Sequence, residues 1–245
     1  SSRYHGYDAA AREIEIGWTF LARSHWGGRY NGEMKQLMLQ HAFQFVDNVV
    51  FAAFIDRVGK YQLTMQKVNA YKPMADSMPP MLKEEAFHLA TGVIPMRRWA
   101  EKAGSGGGTI DMPTLQRAVN KWFGRGLEMF GDERGGETNV KLGLKDLNNR
   151  TAQDAYVVEC EQMLDDINRR YVRARFPSLA RDDADALYAK VKGARGTADG
   201  LSWEEDLLKL PHRAFFRRRG EFAFQQTGVD GSSFDDVEAY IGHVL

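Results

Sequence analysis

Val49-Val50-Phe51-Ala52-Ala53-Phe54-Ile55 is apolar at every position, and whether it forms a strand or a helix decides the fold. Alone, so short an apolar run reads as readily as a buried strand. The residues before it argue otherwise. Met34-Lys35-Gln36-Leu37-Met38-Leu39 are good helix formers, and the pattern extends from about Glu33 to about Gln66, well beyond strand length. The reading is therefore a long helix whose middle, apolar on all sides, lies inside the protein.

Outward from this helix, the same reasoning predicts further helices. Residues 8–26 carry Ala9, Ala10, Ile14, Trp18, Leu21 and Ala22 near helical spacing, before Gly27-Gly28 and Asn31-Gly32 break the chain. Tyr71-Lys72-Pro73 reads as a turn, and Asp76-Ser77 before Pro79-Pro80 as the start of a helix over roughly 78–102. Gly104 to Gly108 reads as a flexible connection. Asp111 and Pro113 then begin a helix with Leu115, Val119, Trp122, Phe123, Leu127 and Phe130 on its buried side. Residues 131–150 read as a loop with a short helical piece, and Thr151 to about Arg175 as a helix carrying Ala155, Val158, Cys160, Met163, Leu164 and Ile167. A short helix over Asp182–Lys192, another capped by Ser202 and a last one from Ser233 to Ile241 complete an all-α chain.

Composition narrows the function. The 245 residues carry 33 basic and 33 acidic side chains, so no global field draws the protein to nucleic acid or membrane. The single cysteine, Cys160, excludes an internal disulfide and a cysteine metal cluster. No run of about eighteen apolar residues and no signal-peptide stretch is evident, so a cytoplasmic location is expected.

Asp56 ends the apolar run, where an ionised carboxylate is costly unless paired or bound to a metal. Two readings stand: pairing with Arg57 or Lys60 as the helix emerges into solvent, or metal ligation. Asp47, nine residues earlier, projects to nearly the opposite side at about 100° per residue. On the next helix, Lys83-Glu84-Glu85-Ala86-Phe87-His88 places Glu85 and His88 one turn apart on one face. Glu-x-x-His on one helix and a carboxylate on another make half of a ferritin-like dinuclear site, suited to iron or manganese.

The surroundings carry a resemblance. Phe54-Ile55-Asp56-Arg57-Val58-Gly59-Lys60-Tyr61-Gln62-Leu63 and Leu82-Lys83-Glu84-Glu85-Ala86-Phe87-His88 resemble the oxygenase components of bacterial CoA-thioester epoxidases. Asn120-Lys121-Trp122-Phe123, Met129-Phe130-Gly131, Glu159-Cys160-Glu161 and Leu210-Pro211-His212-Arg213-Ala214-Phe215 look more like the benzoyl-CoA branch than the phenylacetyl-CoA branch. The resemblance runs from about residue 34 to the C-terminus. It implies a ferritin-like bundle, here partial, over residues 1–103, the glycine-rich linker 104–112, and C-terminal helices over 113–245 packed on the bundle. It also implies a non-haem centre of two iron ions, with manganese the alternative metal. That centre would use dioxygen to epoxidise an aromatic acyl-CoA, with electrons from a separate flavin and iron–sulfur reductase. Homo-oligomers or a further partner subunit are compatible with this reading.

Carried over by position, Asp56, Glu85 and His88 are the implied metal ligands, and Glu84 a neighbour that orients them. His5 stands about where a further histidine ligand belongs, but Ser2 stands three residues before it in place of Glu. Glu13, Glu15, Glu33, His25 and His41 are local alternatives, each read more simply as a surface or capping residue. The ligand set is thus incomplete, which reads as a piece of a longer oxygenase or as a relative that has lost its metal; the first is preferred. Arg217-Arg218-Arg219 is either a site for CoA phosphates or an acidic partner, or a solvated basic face. The competing reading from another class is a non-catalytic helical scaffold subunit of a multicomponent oxygenase.

Overall fold

A computed structural model describes residues 3–8, 13–17, 46–131, 137–215 and 228–231. The chain divides into two units, Ser1–Val49 and Val50–Leu245.

In the first unit, β1 (Arg3–Asp8) and β2 (Glu13–Gly17) form an antiparallel pair with His5 opposite Glu15. This replaces the helix expected over 8–26, as far as that stretch is described. Glu13-Ile14-Glu15-Ile16 alternates polar and apolar with the two-residue period of a strand, and that local alternation overrides the looser helical spacing. Residues 18–45, with His25, Glu33 and His41, lie outside the described residues.

The rest is an all-α helical bundle. Helix α1 (Val46–Met65) contains the apolar run, and Val50, Ala53, Phe54 and Val58 are fully buried. A short 3-10 turn (Gln66–Val68) leads to α2 (Lys72–Gly104), 33 residues long. It begins earlier than the expected residue 78. Pro73 sits in the first turn, where its missing N–H goes unused, so the turn read at Tyr71-Lys72-Pro73 is the helix start itself. Pro79, Pro80 and Pro95 lie inside the helix. The glycine-rich stretch closes α2 as a hydrogen-bonded turn. Ser105 donates to the Glu101 carbonyl at 3.1 Å and Gly107 to Lys102 at 3.0 Å, while Gly106 takes a left-handed φ of 75°.

Helix α3 (Met112–Phe130) starts as expected, with Asp111 accepting from the Thr114 N–H at 2.8 Å. After the single-turn α4 (Thr138–Lys141) comes α5 (Asn149–Arg175), against which α2, α3 and α6 (Arg181–Ala194) all pack. Its buried residues include Ala152, Tyr156, Cys160, Met163, Leu164, Ile167 and Tyr171, which recur at helical spacing, while Ala155 and Val158 are exposed. A second small strand pair, β3 (Thr197–Ala198) with β4 (Leu201–Ser202), precedes the one-turn α7 (Trp203–Asp206), where Ser202 caps as expected.

Two side-chain amides then fix the extended chain after α7. The buried Asn168 exchanges two hydrogen bonds with the backbone of Leu208, at 2.9 and 2.8 Å. Gln116 does the same for Lys209, both at 2.8 Å. Each amide satisfies a backbone donor and acceptor that no strand reaches. Across α2 and α5, Arg97 pairs with Asp166 at 2.6 Å and Arg170 with Glu101 at 2.8 Å. No described helix is long and apolar enough to cross a membrane.

Candidate metal centre

Two glycines fix how α1 and α2 approach each other. A β-carbon at Gly92 would lie 2.3 Å from the backbone nitrogen of Ala53, and one at Gly59 would lie 2.6 Å from Oε1 of Glu85. Moving from Ala53 to Gly59 along α1 thus corresponds to moving back from Gly92 to Glu85 along α2, an antiparallel pairing. Asp56 lies between Ala53 and Gly59 in the sequence of α1. His88, one turn from Glu85, lies between the two marker positions of α2.

The pairing brings Asp56, Glu85 and His88 together, with one donor atom from each within 4.8 Å of the others. Donors around a first-row divalent ion with bonds of about 2.1 Å are separated by at most about 4.2 Å, a little less than the bound found here. Among the described residues this is the only grouping of three or more such side chains. Asp56 and Glu85 are half-buried, while His88 is exposed at the rim.

The electrostatics match a cation site. Oε2 of Glu85 is buried and accepts no hydrogen bond, although Nδ1 of His88 stands 3.5 Å away. Burial pushes Asp56 up to about 6, the Glu85 carboxylate adds to the rise, and only His88 opposes it. Two carboxylates facing each other without a permanent cation repel, and a buried acceptor without a donor is costly. A divalent ion would relieve both.

The alternative partners of Asp56 are committed elsewhere. Arg57 is buried; its Nη1 pairs with Glu159 of α5, its Nε donates to the Ala53 carbonyl at 3.1 Å, and its Nη2 lies 3.2 Å from the Met163 sulfur. Lys60 donates to both Glu159 oxygens at 2.8 and 2.9 Å, and the Tyr61 hydroxyl donates to Oε2 at 2.8 Å. Burial alone would raise Glu159, but Lys60, Arg57 and Tyr61 together hold it below the usual carboxylate range. The pairing of Asp56 with Arg57 or Lys60 allowed by the sequence therefore does not occur.

The remaining candidates are placed as follows. Glu84 is exposed, with no hydrogen bond to the three donors among the described residues. The backbone of His5 lies in β1 of the other unit. Arg217, Arg218 and Arg219 lie outside the described residues. Sequence reasoning missed Glu159, since a Glu about a hundred residues away offers no local signal for its cationic partners. It also missed Gly59, three residues from Asp56 and so on nearly the same helix face, where that spacing was a usable signal.

No protein-family model matches the chain. A relative, benzoyl-CoA oxygenase component B of Aromatoleum evansii, is 26% identical over a 217-residue alignment that covers 77% of this chain. That alignment spans 45% of the relative, so the chain corresponds to less than half of that protein's length. The relative is by name one component of a multicomponent oxygenase, and this chain is distantly similar to it.

Proposed function

We propose that the chain contributes half of a dinuclear iron site to a ferritin-like oxygenase component that epoxidises an aromatic acyl-CoA of the benzoyl-CoA type. The observation that carries this reading is the convergence of Asp56, Glu85 and His88 from two antiparallel helices, with carboxylate charge left uncompensated. Hard oxygen and imidazole donors suit iron or manganese, and a Glu-x-x-His facing a carboxylate helix is the arrangement of such sites. The distant similarity to a benzoyl-CoA oxygenase component supports the substrate class.

Asp56 and Glu85 would ligate as carboxylates and His88 as a neutral imidazole. When bound, the iron would supply the dioxygen chemistry. Phe87, 70% exposed, has its ring 6.4 Å from that of His88, leaving apolar surface next to one of the donors. Inserting one atom of dioxygen into the substrate and reducing the other to water consumes two electrons and two protons. A flavin and iron–sulfur reductase is therefore part of the proposal, and the further ligands would come from outside these three residues.

The test is iron per chain after anaerobic purification, followed by turnover of benzoyl-CoA with a reductase. His88→Ala should lower bound iron at least tenfold and abolish epoxide formation; unchanged iron content would sink the assignment. A wild-type protein free of iron would instead favour the helical scaffold subunit.

A further inference from the structure

The close approach at Gly59 has a consequence for the metal ligands themselves. On α1, Asp56 and Gly59 are three residues apart and project from nearly the same face. An added β-carbon at Gly59 would stand 2.6 Å from Oε1 of Glu85 and 3.3 Å from its carboxyl carbon. The Glu85 carboxylate therefore occupies the volume in which any other residue would carry its side chain. Oε2 of Glu85 is buried without a hydrogen bond, and Nδ1 of His88 stands 3.5 Å from it. The space left open at Gly59 therefore helps to set where this carboxylate lies.

We infer that Gly59 is a positioning residue for the metal site: by lacking a side chain it admits the Glu85 carboxylate between α1 and α2, where it faces Asp56 and His88. The inference rests on the metal-site reading for its purpose, but the steric relation stands on its own. Gly92 provides the contrast. There an added β-carbon would meet the backbone of Ala52 and Ala53, at 2.3 to 2.8 Å, so the helices themselves would have to separate. At Gly59 it would meet only the end of a flexible side chain, which can swing away. Alanine at 59 thus spares the fold and displaces the ligand, while alanine at 92 strains the fold. In mid-helix, replacing Gly by Ala is otherwise favourable.

Two measurements on the full chain test this. The first is a thermal-melting cycle with Gly59→Ala, Glu85→Ala and the double variant, in the presence of a chelator. In the Glu85→Ala background, Gly59→Ala should raise the melting temperature by about 2–4 °C, the ordinary helix gain for a domain of this size. With Glu85 present the gain should vanish or reverse. Equal shifts in both backgrounds would overturn the steric relation and the inference with it.

The second is titration with Co2+ alone, read by its visible absorption and by calorimetry. Gly59→Ala should weaken binding at least tenfold, and Glu85→Asp in the same chain, whose carboxylate is one methylene shorter, should restore part of the loss. Wild-type affinity in Gly59→Ala would overturn the positioning role. If the wild-type chain takes up no Co2+, the metal-site reading falls, and the melting cycle still decides whether Gly59 makes room for Glu85.

Discussion

Two neighbouring regions on α1 treat charge in opposite ways. Toward α5, Arg57, Lys60 and Tyr61 converge on Glu159, giving its carboxylate a guanidinium, an ammonium and a hydroxyl. Toward α2, Asp56 meets another carboxylate, Glu85, and one imidazole. Burial acts on Asp56 and Glu159 alike, yet it raises the first and is outweighed at the second. The difference is the partner set: on the α5 side cations and a hydroxyl surround one carboxylate, and on the α2 side two carboxylates share one imidazole. Desolvation decides a carboxylate's state only where nothing positive answers it.

Breaking the α5 side should cost most. Arg57→Ala should destabilise the fold by about 2–3 kcal/mol, because a buried guanidinium leaves Glu159 half-compensated. Chemical denaturation measures this, and a loss below 0.5 kcal/mol, the scale of an ordinary surface change, would place the pair among weak surface contacts. Tyr61→Phe removes one hydrogen bond to the same carboxylate and should cost about 1 kcal/mol.

The smallest expected change has the opposite sign. In metal-free protein, Asp56→Asn should stabilise by up to about 1 kcal/mol at neutral pH after solvent screening. The sign follows from proton linkage. The folded-state value of about 6 lies above the ordinary 3.8, so the folded protein holds this proton more tightly than the unfolded chain. Stability contributed at this position is therefore highest below about pH 4, falls as pH rises toward 6, and stays low above it. The variant should lack that fall in urea midpoints measured from pH 4 to 7. A destabilised variant would reveal a hidden partner for Asp56 and erase the contrast.

The local determinants of this protein lie open in its sequence. Asp111 and Ser202 cap helices because a short side-chain oxygen placed there accepts from N–H groups that no helical carbonyl reaches. The apolar run of α1 had to be buried, and Glu85 and His88 share a face by helical geometry alone. Local pattern misled where two periods overlapped, at the Glu13–Gly17 strand, and where prolines at 73, 79 and 80 suggested a later start for α2.

Only the tertiary structure decided which cations belong to which carboxylate. Arg57 and Lys60 are the sequence neighbours of Asp56; Arg57 points about 100° away from it, and Lys60, one turn on and on nearly the same face, reaches Glu159 with its long side chain. They turn to a glutamate more than ninety residues away, and Asp56 faces α2. The placement of Gly59 beneath Glu85 was likewise decided there, because close approach between helices is a property of two surfaces and neither segment alone contains it.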